Sequence, residues 1–309
     1  MARTIRFGHQ LRTSEAADPI TAAQRAEAIG FDVVLVPDHV GPGLAPMPTL
    51  AAIAAATSTI RLGTFVLNSD MRNPVQLAWE AGTIDHLSAG RFELGLGAGH
   101  TPHEYAEVGL PMAPPAARKS ALAERVEIIR RLLDGETVTI DGVHHRLDGA
   151  RIDASRQQRL PILVGANGVA ALAHAGAHAD IIGLQGLGRT KDDGHQHEVA
   201  WSTEHLDEQI EQVRAGAGER FDAVELNALV QVVDITDERD HSIERLGERL
   251  DRSASPEALA EIPYVLIGTV DEIAAKVLRC RERWGVSYFV VRDLDEFAPV
   301  IDAVRILEA

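Results

Sequence analysis

The groups best able to do chemistry cluster in one stretch, residues 84–103 (IDHLSAGRFELGLGAGHTPH), and in the glutamate that follows it. Gly95, Gly97 and Gly99 leave alternate positions of an apolar run without side chains, and His100, His103 and Glu104 come next. Glycine lets a backbone approach a neighbour closely, and an imidazole titrating near ~6.5 can move protons at neutral pH. The run reads either as a platform for a cofactor or as a tight glycine turn with solvent-facing histidines. A second pair, Asp38-His39, closes the apolar run FDVVLV. There the histidine would act as general acid or base, with the aspartate fixing its tautomer or touching a cofactor. The plainer alternative is a loop histidine that only makes hydrogen bonds.

Other clusters carry less. The GLGAG at 95–99 lacks the marks of a dinucleotide fingerprint: no helix opens in the turn, and Pro114-Pro115 stands where the acidic residue belongs. The run 192–198 (DDGHQHE) has metal-ligand residue types but reads as a solvated loop, because ligands need a rigid surrounding shell. His174 and His178 stand one helical turn apart without the glutamate of a zinc-protease helix, and read as surface or interface residues. No metal site is expected. A serine-hydrolase elbow and a phosphate-binding P-loop are both absent. The single cysteine, Cys280, excludes an internal disulfide and falls at helical spacing from Ile273 and Val277, as a buried thiol would.

The elements that must position these groups alternate. Apolar runs at 4–11, 31–36, 60–68, 92–99, 161–165, 180–184, 224–235 and 287–292 read as eight principal strands, nearly continuous in apolar residues and so buried on both faces. Helical patterns separate them. One begins at Asp18-Pro19 and stops at Gly30; another ends at Gly90; a long one carries Leu122, Val126, Ile129 and Leu133 on one face. A β-hairpin is expected at 137–147 around Asp141-Gly142, before the fifth strand, and residues 185–200, after the sixth, read as a polar insertion loop or lid. Strand–helix alternation implies a parallel sheet, and eight strands close most naturally as a (β/α)8 TIM barrel spanning 1–309 as a single domain. Barrel sites lie at the C-terminal strand ends, which here carry Gln10, Asp38-His39, Asn68, Gly97–His100, Asn167, Gln185, Asp234 and Arg292-Asp293.

A formal charge of −16 over 309 residues opposes binding to nucleic acid or to an anionic membrane surface. No stretch approaches the ~18 apolar residues of a membrane span, and the start MARTIRFG has no apolar signal core, so the expected location is cytoplasmic.

Taken together, LSAGRFELGLGAGH (87–100), FDVVLVPDH (31–39), RLGTFVLN…NP (61–74), PILVGANG (161–168) and IGTVDEIAAKV (267–277) resemble, in order, the bacterial luciferase-like flavin and deazaflavin oxidoreductases. The chain is most similar to their actinobacterial branch dependent on coenzyme F-420, which includes the F-420-dependent glucose-6-phosphate dehydrogenases. The resemblance implies a luciferase-like barrel, coenzyme F-420 as cofactor with FMN as the alternative, and a homodimer. It also implies a non-proline cis peptide at Phe65–Val66 behind the ring. Cofactor contacts would come from Asp38, Asn68, Ala98, Gly99, His103, Ala166, Asn167, Val169 and Ala170, with His39 as proton donor.

In one place the chain departs from that pattern. The sugar-phosphate dehydrogenases carry a glutamate after the strand-four glycines, where this chain has His100, neutral or cationic instead of anionic. No clear counterpart of their basic phosphate-binding residues is found, although Arg189 and Lys191 lie nearby. The expected function is hydride transfer between the deazaflavin C5 and a small organic substrate, with His39 or His100 moving the proton. An FMN-dependent monooxygenase and a non-catalytic flavin-binding barrel are the competing readings.

Overall fold

In the computed structural model, which describes residues 3–41, 43–190 and 197–309, the alternation closes on itself. The strands are Arg6–Gln10 (β1), Val33–Val36 (β2), Arg61–Thr64 (β3), Phe92–Gly97 (β4), Ile162–Gly165 (β5), Ile181–Leu184 (β6), Glu225–Leu229 (β7) and Val286–Val291 (β8). Each pairs in parallel with the next. β1 also lies beside β8, with Arg6 opposite Tyr288, so the ring has no open edge. This is the expected (β/α)8 barrel.

The outer layer is made of Pro19–Ile29 (α1), Pro46–Ala56 (α2), Pro74–Leu87 (α3), Pro102–Glu107 (α4), Pro115–Leu133 (α5), Val169–His178 (α6), Thr203–Ala217 (α7), Arg239–Arg249 (α8), Pro256–Glu261 (α9), Val270–Trp284 (α10) and Ala298–Glu308 (α11). Local chemistry sets their ends. Asp18 accepts from Thr21 N to start α1, and Gly30 stops it at φ 98°. Thr269 and Glu272 form a reciprocal cap on α10. Among the described residues no helix is long and apolar enough to cross a membrane.

Most of the apolar core lies between strands and helices, while Val33, Leu35, Phe65, Leu163, Ile181, Leu229, Tyr288 and Val290 fill the barrel itself. At its N-terminal end the buried carboxylate of Glu93 accepts from Arg6 at 2.7 Å and Arg61 at 2.5 Å, and Glu225 shares Arg6. Buried charges are tolerated there because each is paired.

Four expectations need correction. The third strand does not run unbroken over 60–68. Its ladder stops at Thr64 and resumes at Leu67–Asn68 beside β4, with the cis peptide Phe65–Val66 between. Thr64 Oγ1 bridges the gap, donating to Gly95 O and accepting from Gly95 N, both at 2.8 Å. The seventh strand is not one piece over 224–235 either. The chain leaves the barrel after Leu229, and Val232–Ile235 pairs with Val265–Gly268 in a separate two-stranded sheet, started by Gln231 N donating to Tyr264 O at 2.8 Å. The hairpin (Val138–Asp141 with Arg146–Ala150) turns through four residues, not two, because Glu124 of α5 accepts from the amides of Val143, His144 and His145. Finally, a helix does open just beyond the glycine turn, where none was expected: α4 starts at Pro102, three residues after Gly99. After β6, Leu187–Thr190 pairs antiparallel with His197–Val199. Residues 191–196, which hold Lys191 and most of the 192–198 run, lie outside the described residues.

Candidate active site

The C-terminal strand ends open into a cavity of about 1030 Å³. Asp38, His39, Phe65, Val66, Asn68, Ala98, Gly99, His100, Ala166 and Asn167 all line it, joined by Gln10, Gln185 and Arg292 from the same rim. Residues as far apart as Gln10 and Arg292 therefore meet around one mouth. Asp234 does not: in the outer two-stranded sheet, it lies 4.0 Å from Arg245. His103, Val169 and Ala170 do not line the cavity either. His103 is on the exposed face of α4, and the other two are exposed in the first turn of α6. Only their backbone N–H groups, at a helix N-terminus, would favour an anion.

The glycines of β4 have an unexpected neighbour. A Cβ on Gly97 would meet Val66 Cγ2 at 2.8 Å, and one on Gly95 would overlap the Thr64 backbone. The bare strand therefore accommodates the β3 bulge, pushing Val66 toward the cavity. Gly99 differs, with φ 73° and the Asn68 carboxamide where its Cβ would be, at 2.5 and 2.6 Å.

The acid–base arrangement also differs from the expectation. Asp38 does not orient His39. Its oxygens take a bidentate grip from Arg72 at 2.6 and 2.8 Å and a 2.8 Å bond from Asn68 N. His39 Nδ1 instead lies 2.7 Å from Glu104 Oε1. Glu104 is buried while the His39 side chain is 62% exposed, so the carboxylate sits behind the imidazole and the ring faces the cavity. His100 lies edge-on to His39, with ring centroids 6.3 Å apart. Glu104 stands in the first turn of α4, so the carboxylate sought directly after the glycines arrives four residues after His100.

Behind these groups lies a layer the sequence did not reveal. Tyr105 OH donates to Asp70 at 3.1 Å, and Arg125 pairs with Asp70 at 3.0 Å. Burial raises the Tyr105 phenol above its usual pKa, keeping it a donor. Arg118 donates to Gly99 O at 3.3 Å, and Lys119 Nζ donates to Asn167 O at 2.7 Å just before α6, so two cations line the cavity and one of them stands at the entry to α6. On the opposite wall Arg292 Nε donates to Gln10 Oε1 at 2.8 Å, and Gln10 Nε2 reaches Phe65 O at 3.4 Å.

Comparison with known proteins places the chain in a family. Residues 3–246 match the model of a family described as luciferase-like monooxygenase. The chain belongs to that family. Among curated members, it is 38% identical over 189 residues to an F420-dependent glucose-6-phosphate dehydrogenase of Nakamurella multipartita, a match covering 57% of this chain and 55% of the relative. The chain thus spans little more than half the length of the curated relatives it matches. Among solved structures, it superposes on the coenzyme F420-dependent tetrahydromethanopterin reductase from Methanopyrus kandleri with TM-score 0.73 and 20% identity, covering 97% of both chains. A monooxygenase from Streptomyces bottropensis gives TM-score 0.73 and 22% identity over 99% of this chain and 100% of that one. At such identities both show the shared fold alone.

Proposed function

We propose that this chain is a coenzyme F-420-dependent oxidoreductase acting on a small organic substrate. The observation that carries the reading is His39, facing a cavity of about 1030 Å³ with a buried carboxylate behind it and the Val66 bulge beside it. The names of the curated relatives favour the deazaflavin over FMN.

The residues present suit such a cofactor. The cavity is at the upper end of the range for small-molecule sites, so a tricyclic ring fits with room for a substrate. The glycine-bared β4 and Gly165, where a Cβ would meet Val66 at 3.4 Å, leave a flat slot against the bulge. Asn68, Ala98 and Gly99 would contact the polar edge of the ring. Lys119, Arg118 and the N–H groups at the start of α6 (residues 168–170) suit a phosphate. When bound, the deazaflavin supplies the hydride-accepting or hydride-donating carbon C5.

The protein contributes position and a proton path. With Nδ1 held by Glu104, His39 has Nε2 left to exchange a proton with a substrate oxygen or nitrogen. Glu104 fixes the ring and stabilises the imidazolium formed when His39 takes that proton. Arg72 holds the Asp38 carboxylate in place by two hydrogen bonds, and Asp38 in turn holds Asn68 N at the bulge. Arg292 and Gln10 offer a polar end to the substrate, and Leu229 and Phe65 an apolar wall.

The test is a parallel titration of the protein with coenzyme F-420 and with FMN, followed by a screen of the loaded protein against alcohols, ketones, enones, imines and sugar phosphates. Tight deazaflavin binding with substrate-dependent change in its absorbance is expected. FMN binding without deazaflavin binding would favour the monooxygenase reading instead.

A further inference from the structure

Away from the cavity mouth, the outer faces of α5 and α6 bring together three residues the proposed reaction does not use. His174 and His178, one turn apart on α6, lie on one face; their rings stack with centroids 4.3 Å apart and planes 24° from parallel. Glu127 of α5 faces them, its Oε1 3.7 Å from His178 Nε2. One ligand atom from each residue lies within 4.8 Å of the others, the one such group among the described residues.

His174 Nε2 is buried and has no hydrogen-bond partner. An unpaired polar nitrogen in that setting costs free energy unless something meets it.

We propose that Glu127, His174 and His178 form a site for a divalent transition-metal ion, zinc fitting the donor set best. Two imidazoles and a carboxylate, with water as fourth ligand, are ordinary zinc donors. Bonds of ~2.0 Å in a tetrahedron set donor atoms ~3.3 Å apart. The present spread must therefore contract, and Glu127 and His178, 48% and 40% exposed, have the freedom to rotate inward. The ion would join α5 to α6. Lys119 and Asn167 already link α5 to the loop entering α6, so the metal would add a second tie behind the wall that carries them.

The test uses the full-length protein, stripped with chelator and dialysed. Zinc is titrated by calorimetry into the unaltered protein, His178→Ala and Glu127→Gln, and cobalt(II) is added separately to read the visible spectrum. Zinc affinity at one site is expected to fall at least ~10-fold in His178→Ala, since even residues behind a ligand set that much. The unaltered protein should gain thermal stability with zinc while His178→Ala does not, and cobalt should give the intense bands of a four-coordinate ion only in the former. Glu127→Gln, a conservative change at an exposed position, repeats the comparison should His178→Ala fold poorly. Equal zinc affinity and stoichiometry in all three proteins would overturn the proposal, as would zinc binding lost only on replacing His39 or His100.

Discussion

His39 Nδ1 lies 2.7 Å from Glu104 Oε1, although one follows β2 and the other belongs to α4, 65 positions along the chain. The imidazole therefore takes its orientation from an acid brought in by tertiary structure and not from its sequence neighbour Asp38. Replacing Glu104 with Gln keeps shape and burial but removes the charge that steadies the imidazolium. Turnover should fall about 10²-fold with cofactor affinity little changed, and His39→Ala should cost ~10²–10⁴-fold. Because the two act as one unit, the double variant should be no slower than His39→Ala. Steady-state kinetics on the best substrate decide this. Independent, multiplying losses would show that Glu104 has another role.

The Arg72–Asp38 pair makes a stability prediction. Asp38 has a side-chain exposure of 6% and spends both oxygens on Arg72 and Asn68 N. Arg72→Met strands a buried carboxylate and should destabilise the fold by about 3–5 kcal/mol in urea denaturation. Adding Asp38→Asn removes the orphaned charge and should restore part of that loss. If the double variant is less stable than Arg72→Met, the pair is not coupled as drawn.

Gly99 separates backbone strain from close approach. Alanine there is forced to φ 73° and drives its Cβ into the Tyr105 hydroxyl and the Asn68 carboxamide it touches. Gly109 has nearly the same φ, 71°, with nothing within 4 Å of a built Cβ. Both Gly→Ala variants should lose about 1–2 kcal/mol from the left-handed conformation. Gly99→Ala alone should also weaken cofactor binding, because Asn68 must move. Equal cofactor affinity in the two variants would remove Asn68 from the binding surface.

These cases show what the sequence could and could not reveal. The barrel was legible because buried parallel strands write themselves as apolar runs, and the rim because polar residues end those runs: Gln10, His39, Asn68, Asn167 and Arg292 were all readable that way. Glu104 was visible as a reactive group, but its link to His39 depends on α4, whose six residues carry too little periodicity to announce a helix. Arg72 follows Asn68 by four residues and looks like an ordinary loop cation until β3 breaks at Phe65–Val66 and swings the segment under Asp38. The split of the seventh strand was hidden because Val232–Ile235 is as apolar as a barrel strand. Only its pairing with Val265–Gly268, a long-range contact, assigns it elsewhere.

The last prediction concerns Lys276, in α10 and far from the cavity. It is 4% exposed, and its Nζ donates to Leu259 O at 3.0 Å and Val265 O at 2.6 Å. Burial pushes its pKa down to about 7, with Arg239 and Arg279 adding to the effect against Cys280 and Glu261. In the unfolded chain the lysine titrates near ~10.4, so between these values the unfolded state holds more protons than the folded one. Stability from this group therefore rises with pH above about 7, by at most ~1.4 kcal/mol per pH unit. The Cys280 thiol acts in the opposite sense. Burial raises it to about 11, so its contribution is lost as pH climbs past the unfolded thiol value near ~8.5. The clean window is thus about pH 7 to 8.5. Urea denaturation of the unaltered protein and Lys276→Met across that window isolates the term, because every other titrating group is common to both. The difference in stability between them should grow with pH in favour of the unaltered protein. A difference that stays flat would mean that Lys276 remains charged in the folded state, held by its two carbonyls despite burial.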